Sequence, residues 1–170
     1  KHLPEIEVVI KDFHQGWGRR TVPVPRELSY LKDYYPWPDE SQFSSFSRYF
    51  HFGADFEKIA EETAAEKPGL VGISSLFSPY YREVLRSAEE IKKKWNVPIL
   101  VGGSHVSAVP ELMLRNPAID FVIRGEGERP FVEFLKAWES GQCWENVPNL
   151  GFKKDGKMIF NEIAENFPIE

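Results

Sequence analysis

Three short loops in this sequence carry residue types that could recognise a ligand. Serine hydroxyls donate or accept hydrogen bonds without carrying charge, and glycines let the backbone approach a ligand closely. Glycines at such positions would also serve tight turns between strands and helices, so each loop taken singly has two interpretations. The loops, each after an apolar run, are Ser74-Ser75-Leu76-Phe77, Gly102-Gly103-Ser104-His105 and Arg124-Gly125-Glu126-Gly127-Glu128.

The motifs of several catalytic and nucleotide-binding sites do not occur in these loops. The stretch G-E-G-E-R-P has Pro130 where a dinucleotide-binding loop needs its third glycine, and the sequence contains no phosphate-binding GxxxxGK[ST] loop. His105 has no second metal ligand at helical spacing, and Glu126 and Glu128 lie two residues apart and would point different ways. We therefore predict no catalytic residue and no metal site, and a pocket that carries a cofactor.

The elements that position these loops alternate between strand and helix from about Glu5 to Trp138. Strands separated by helices of this length predict right-handed crossovers and a parallel sheet. The fold class is an α/β, Rossmann/flavodoxin-like three-layer sandwich, with ligands expected beyond the carboxyl ends of its strands. The predicted strands are Glu5–Ile10, Leu70–Ile73, Ile99–Val101 and Ile119–Ile123, and the predicted helices are Arg26–Tyr34, Asp55–Glu66, one capped by Ser78 with Pro79 at its first position, Pro110–Leu114 and one starting at Arg129-Pro130.

Two regions depart from the alternation. Residues 15–52 form a long connection rich in proline and aromatic residues, which is unusual unless it is functional or carries short helices of its own. Near the end, the pair Asp155-Gly156 between two apolar triplets predicts a β-hairpin. We predict an α/β domain over residues 1–141 with residues 15–52 inserted, followed by a hairpin and linker over residues 142–170.

Composition and charge exclude several classes of protein. The chain has 170 residues, a formal net charge of −5 and no apolar run near the roughly 20 residues that span a bilayer. The charge argues against a surface for duplex nucleic acid, and we interpret Lys92, Lys93 and Lys94 as a solvated helix terminus. A single cysteine, Cys143, excludes an internal disulfide and fits a cytoplasmic location.

The three loops, in this order and at these distances, resemble the cobalamin-binding domain that precedes the radical S-adenosylmethionine (SAM) barrel in a large enzyme family. The similarity runs from about Phe52 to Phe160 and includes the hairpin. It implies that Ser74 or Ser75 hydrogen-bonds the dimethylbenzimidazole tail of the cofactor. It also implies a cofactor-binding set in which Leu76 lines the cleft, Gly102 and Gly103 make room, and Ser104, His105, Gly125, Glu126 and Gly127 lie around the pocket mouth.

Three departures from the family pattern matter. The cobalt-ligating histidine of the family's Asp-x-His-x-x-Gly motif has an imperfect counterpart in His14, because Trp17 stands at the glycine position. We interpret His14 as an ordinary loop residue. A first strand and helix are expected to be missing before Lys1. The C-x3-C-x2-C motif is absent, so the resemblance assigns the [4Fe–4S] cluster and S-adenosylmethionine to a barrel beyond Glu170.

Three hypotheses about function follow. The first is a cobalamin-binding accessory domain of a radical SAM enzyme of methyltransferase type, not catalytic by itself, whose partners are cobalamin and the barrel of the same polypeptide. The second is a scaffold that positions the barrel and its substrate without binding a corrin. The third is an unrelated flavodoxin-like module that binds a flavin or a nucleotide.

Overall fold

A computed structural model describes residues 6–34, 37, 48–141 and 143–164. The chain divides into two units, a smaller one over Val8–Asp55 and a larger one that contains Phe56 and the residues after it. Within the described ranges, no helix is long and apolar enough to cross a membrane.

The smaller unit is built on a two-stranded antiparallel sheet that the sequence did not predict. Strand β1, Arg19–Val22, pairs with β2, Tyr49–Phe52. The predicted helix Arg26–Tyr34 is two pieces, a 3-10 helix at Arg26–Leu28 and helix α1 at Leu31–Tyr34. The break falls at Ser29, whose hydroxyl donates a 2.7 Å hydrogen bond to the Arg26 carbonyl and so competes with regular helix pairing.

The predicted strand Glu5–Ile10 is wrong for the residues that the structure describes. Ile6–Ile10 has no regular secondary structure, and the side chains of Val8, Val9 and Ile10 are exposed, Ile10 to 91%. An apolar run becomes a strand only when a neighbouring strand satisfies its backbone N–H and C=O groups. None of the described strand pairings includes this segment.

The larger unit contains a five-stranded sheet whose spatial order follows the chain. The first three strands run parallel to one another, and the last two form the predicted hairpin, which pairs antiparallel with the third strand and so extends the same sheet. The strands are β3 (Val71–Ser74), β4 (Ile99–Gly102), β5 (Phe121–Ile123), β6 (Leu150–Lys154) and β7 (Lys157–Phe160).

Helices cover both faces of this sheet, which confirms the α/β fold class. The helices are α2 (Phe56–Ala65), α3 (Tyr81–Lys94, preceded by a 3-10 helix at Ser78–Tyr80), α4 (Ser104–Ala108), α5 (Pro110–Leu114), α6 (Glu128–Ser140) and the 3-10 helix Trp144–Asn146. One face of the sheet packs on α2, α3 and α5 through a core that includes Ile99, Val101 and Val122. The other face packs on α6 and on the 3-10 helix Trp144–Asn146.

Aromatic rings anchor the α6 face. Phe121 of β5 lies 4.9 Å from the ring of Phe134 and 5.3 Å from that of Trp144, measured between centroids. Phe134 is fully buried, and Trp138 lies 5.7 Å from it. Aromatic pairs at these distances add to the stabilisation that burial gives, so this cluster fixes α6 on the strands β5 and β6.

Two local interpretations from the sequence need correction, one entirely and one in part. Ser78 does not cap helix α3; it begins the preceding 3-10 helix, and its hydroxyl lies 2.9 Å from Nδ1 of His105. The solvated helix terminus holds for Lys93 and Lys94, which are exposed in the last turn of α3, but not for Lys92. Lys92 is not simply solvated, because its Nζ lies 2.5 Å from Oδ2 of Asp120 and donates to the Val97 carbonyl at 2.8 Å. The same carboxylate oxygen accepts the Ile99 N–H, so Lys92 and Asp120 together fix the start of β4.

Candidate functional site

The three loops begin at one edge of the sheet, as predicted. Strands β3, β4 and β5 are parallel, and their carboxyl ends lie at Ser74, Gly102 and Ile123. The next residue in each chain segment therefore leaves the sheet on the same side. This common edge is where ligands of open parallel sheets bind.

The first two loops are joined by hydrogen bonds. The Ser75 N–H donates to the Gly102 carbonyl at 2.7 Å, and the His105 N–H donates to the Ser75 carbonyl at 3.1 Å. The hydroxyl of Ser104 donates to the Leu76 carbonyl. These bonds fix the positions of the two loops relative to each other.

The two glycines of the second loop differ in the space around them. Gly103 has a φ of +112°, and a Cβ placed there would lie 2.6 Å from the Ser75 carbonyl oxygen. Among the described residues, a Cβ on Gly102 would meet only the Ile123 carbonyl oxygen, at 4.0 Å. Gly103 is thus required by the close approach of the protein's own backbone, whereas Gly102 leaves space open.

Ser107 connects the third loop to the second. Its hydroxyl accepts the Gly125 N–H at 2.7 Å and donates to the Gly103 carbonyl at 3.1 Å. Gly125 has a φ of +68°, in the left-handed region that favours glycine. Ser107 is not among the predicted site residues, although its place one helical turn after the pair Gly102-Gly103 is visible in the sequence.

A strip of sheet without large side chains lies beside these loops. Gly72 pairs in register with Leu100, and Ser74 pairs with Gly102, so these residues share one face of β3 and β4. Leu100 belongs to the core under α6, but Gly72 and Ser74 are exposed, and no atom of the described residues would lie within 4 Å of a Cβ on Gly72. We call Gly72, Ser74 and Gly102 the open strip, because its floor is backbone and its space is free.

The two serines of the first loop differ in access. Ser74 is exposed on the open strip, whereas Ser75 is only 2% exposed. The Ser75 hydroxyl is buried and has no hydrogen-bond partner among the described residues. A ligand that arrives from solvent therefore meets the hydroxyl of Ser74 and not that of Ser75.

His105 faces the interior rather than the open edge. Its side chain is buried, its ring lies 5.2 Å from that of Tyr81, and its Nδ1 contacts the Ser78 hydroxyl. Its Nε2 is buried without a hydrogen-bond partner among the described residues. These contacts give His105 a role in holding the start of α3 against α4, and they do not bring its ring to the open strip.

Exposed side chains around the three loops are apolar after β3 and polar after β5. Leu76, Phe77 and Tyr80 are exposed, and the rings of Phe77 and Tyr80 meet edge-on at 6.5 Å. Glu126 is exposed, and Gly127 begins α6 by accepting the Phe131 N–H at 2.8 Å. The described contacts thus bring the first two loops together directly and reach the third loop through Ser107.

His14 lies in the smaller unit, in an exposed turn. Its N–H donates to Oδ1 of Asp12 at 2.8 Å, and its ring stacks on Phe52 at 6.2 Å. Across the described ranges, no group of three or more His, Cys, Asp or Glu side chains is arranged to hold a metal ion.

The sequence matches one protein-family model, the B12 binding domain, over residues 46–135. An uncharacterized methyltransferase from Pyrococcus horikoshii is 37% identical over 106 residues, which are 61% of this chain and 23% of that protein. A cytidylyl-2-hydroxyethylphosphonate methyltransferase from Streptomyces wedmorensis is 28% identical over 128 residues, 73% of this chain and 22% of that protein. The chain therefore spans about a fifth of the length of these curated relatives.

Solved structures with the same fold include those of two radical enzymes. The radical S-adenosylmethionine methyltransferase TsrM from Kitasatospora setae, with cobalamin and a [4Fe–4S] cluster bound, superposes with a TM-score of 0.58 at 22% identity, over 68% of this chain and 22% of that chain. The cobalamin-dependent S-adenosylmethionine radical enzyme OxsB, with aqua-cobalamin and S-adenosylmethionine bound, gives 0.57 at 17% identity, over 67% and 16%. These likenesses show the fold.

Proposed function

The chain belongs to the B12-binding domain family, and from this premise we propose that it holds cobalamin at the carboxyl edge of its sheet. The observation that carries the proposal is the open strip. Gly72 and Gly102 leave a backbone floor uncovered beside a sheet face that α6 otherwise covers. A flat aromatic base such as the dimethylbenzimidazole tail needs a slot of this kind.

The residues around the open strip supply the contacts such a base would need. Ser74 offers an exposed hydroxyl that can donate to or accept from a ring nitrogen. Leu76 adds exposed apolar surface at the rim, and burying it under a ligand would be favourable. Cobalamin bound there supplies a cobalt centre able to carry a methyl group, and the chain's own residues bind and orient the cofactor.

We further propose that this domain belongs to a radical SAM enzyme of methyltransferase type. Two of the relatives named above are methyltransferases, and the two solved neighbours are S-adenosylmethionine radical enzymes. The chain has one cysteine, so it does not contain the set of thiolates that holds a [4Fe–4S] cluster. A barrel elsewhere in the same polypeptide would supply the cluster and S-adenosylmethionine.

A second candidate function is a scaffold that binds no corrin. Gly103 and Ser75 favour it, because the positive φ of the glycine and the burial of the serine are both explained by contacts inside the protein. Under this alternative the three loops serve only the packing between strands and helices, and the open strip receives another part of the parent enzyme.

Cobalamin binding distinguishes the two candidates. We expect the 170-residue protein to change the visible absorbance of hydroxocobalamin and to co-elute with it in gel filtration. Gly72→Leu and Gly102→Leu place a side chain over the open strip and should weaken binding about tenfold or more, a loss of about 1.4 kcal/mol. Gly69→Leu is the matched control, because Gly69 also has open space around it but precedes β3 at the opposite edge.

Two results would contradict the cofactor-binding proposal. One is a folded wild-type protein that leaves the absorbance of hydroxocobalamin unchanged. The other is equal affinity of the Gly72→Leu, Gly102→Leu and Gly69→Leu variants, since the open strip would then have no part in binding. Circular dichroism of each variant separates a lost fold from lost binding.

A further inference from the structure

We propose that Asn149 is a positioning residue that ties the Arg124–Glu126 loop to residues 161–164, the segment following β7. Cobalamin held on the open strip, whose Gly102 lies next to the start of this loop, would then also order that segment. The inference deepens the proposed function and rests on it for the cofactor. It concerns a residue outside the three predicted loops. Asn149 directly precedes β6, at the same edge of the sheet as those loops.

The side-chain amide of Asn149 donates hydrogen bonds to backbone carbonyl groups of the third loop. Its Nδ2 donates to the Arg124 carbonyl at 2.8 Å and to the Glu126 carbonyl at 3.3 Å. Asn149 is only 3% exposed, and its Nδ2 lies 3.4 Å from the position of a Cβ on Gly125. Both amide hydrogens are therefore used to fix the backbone on either side of Gly125.

The side-chain oxygen and the backbone N–H of Asn149 bind the segment after β7. Its Oδ1 accepts the Ala164 N–H at 2.7 Å, and its own N–H donates to the Glu162 carbonyl at 2.9 Å. Its carbonyl accepts the Arg124 N–H at 3.1 Å. Asn149 thus stands between the loop and the segment with hydrogen bonds in both directions.

Arg124 makes a second tie between the same two parts. Its guanidinium donates to the Asn161 carbonyl and lies over the Phe160 ring, 5.1 Å from the centroid. Loop and segment are therefore linked through two side chains, that of Arg124 from the loop itself and that of Asn149 from the start of β6. A shift of the loop must either carry the segment with it or break these hydrogen bonds.

The backbone of Asn149 explains why an asparagine stands there. Its φ is +64°, in the left-handed region that asparagine tolerates better than most residues and glycine tolerates best. Glycine would keep this conformation but would lose every side-chain contact. Aspartate would keep an oxygen for the Ala164 N–H but would lose the two donors that hold the loop. These two substitutions separate the ties.

The experiment compares Asn149→Gly and Asn149→Asp with wild type in the 170-residue protein. The readouts are amide hydrogen exchange of Ala164 and the affinity for hydroxocobalamin. Asp155→Gly is the matched control, because Asp155 also has a positive φ, 50°, but lies in the exposed hairpin turn. We expect Ala164 exchange in the free protein to be about tenfold faster in Asn149→Gly and unchanged in Asn149→Asp.

Cobalamin then tests the coupling. We expect it to slow Ala164 exchange in wild type and in Asp155→Gly, and to bind about tenfold more weakly to both Asn149 variants. Bound at saturation to Asn149→Asp, it should no longer slow Ala164 exchange. Wild-type affinity in both Asn149 variants, or Ala164 exchange in wild type that cobalamin leaves unchanged, would overturn the inference. A wild type that binds no cobalamin overturns the proposed function, and exchange in the free protein still reports the two ties.

Discussion

The α-carbon of Gly103 lies against the main chain of Ser75, so closely that a Cβ would stand 2.6 Å from the carbonyl oxygen and 2.9 Å from the carbonyl carbon. Real Cβ atoms do not approach backbone atoms to this distance. The His105 N–H, two residues on, donates to that same carbonyl oxygen. This contact holds the first two loops together, and it excludes any residue with a Cβ from position 103.

Gly103→Ala is expected to lower the free energy of unfolding by about 1–3 kcal/mol, because it adds both a clash and an unfavourable positive φ. Urea unfolding followed by circular dichroism measures the loss. Gly141→Ala is the control, since Gly141 has a φ of +65° but no described atom within 4 Å of its Cβ position. If both variants lose the same stability, the contact with Ser75 contributes nothing.

Ser107→Ala is expected to release the third loop. Removing the hydroxyl leaves the Gly125 N–H without the acceptor it has at 2.7 Å, at a cost of about 1 kcal/mol. Hydrogen exchange of the Gly125 amide should accelerate accordingly. Ser140→Ala provides the comparison, because Ser140 also donates to the carbonyl four residues before it, at 2.8 Å, in helix α6. An unchanged Gly125 exchange rate would show that the bridge from Ser107 does not hold the loop.

The ion pair between Glu145 and Lys154, 2.5 Å apart, gives a pH-dependent contribution to stability. The hydrogen bond from Lys154 lowers the pKa of Glu145 below its usual value of 4.5, and the bond to Glu145 raises the pKa of Lys154 above 10.5. The contribution is therefore present from pH 4.5 to 10.5. It is lost as the pH falls through the lowered pKa of Glu145 or rises through the raised pKa of Lys154.

Glu145→Gln should therefore slightly lower the free energy of unfolding at pH 7, and the difference from wild type should shrink in acid. Because both side chains are solvated, the effect is small and falls with added salt. Urea unfolding at pH 7 and below pH 4 measures it. Lys154→Gln and the double variant complete a double-mutant cycle for the pair. If Glu145→Gln lowers the free energy of unfolding by the same amount at both pH values, the ion pair is not the cause.

The sequence predicted the elements whose pattern is local and missed those whose partners are distant. Helix α5 lies where Pro110 predicted it, and the hairpin turns at Asp155-Gly156 as expected. The segment Glu5–Ile10 has the alternation of a strand, but pairing depends on a neighbour that periodicity does not reveal. Ser78 has the residue type of a helix cap, yet its hydroxyl binds His105, 27 residues away in the sequence.

The candidate site shows the same division. The sequence predicted that the three loops share one edge of the sheet, and the structure confirms this placement, because strand ends and glycines are visible in the sequence. The choice between Ser74 and Ser75 depended on which side chain the strand turns outward, and Asn149 contacts the third loop only because β6 pairs antiparallel with β5. The assignment of individual residues to the cofactor stays a prediction.

The reversal of direction at Asp155-Gly156 has a geometric consequence. Leu150 pairs with Ile123, so β6 sets out from the edge where β5 finishes, and β7 returns to that edge at Phe160 beside Gly151. Without β7, the chain would leave the sheet at the end of β6, which is the opposite end of the sheet from the three loops. The hairpin therefore brings the chain back to the end of the sheet where β3, β4 and β5 finish, and the residues after Phe160 begin beside Arg124 of the third loop.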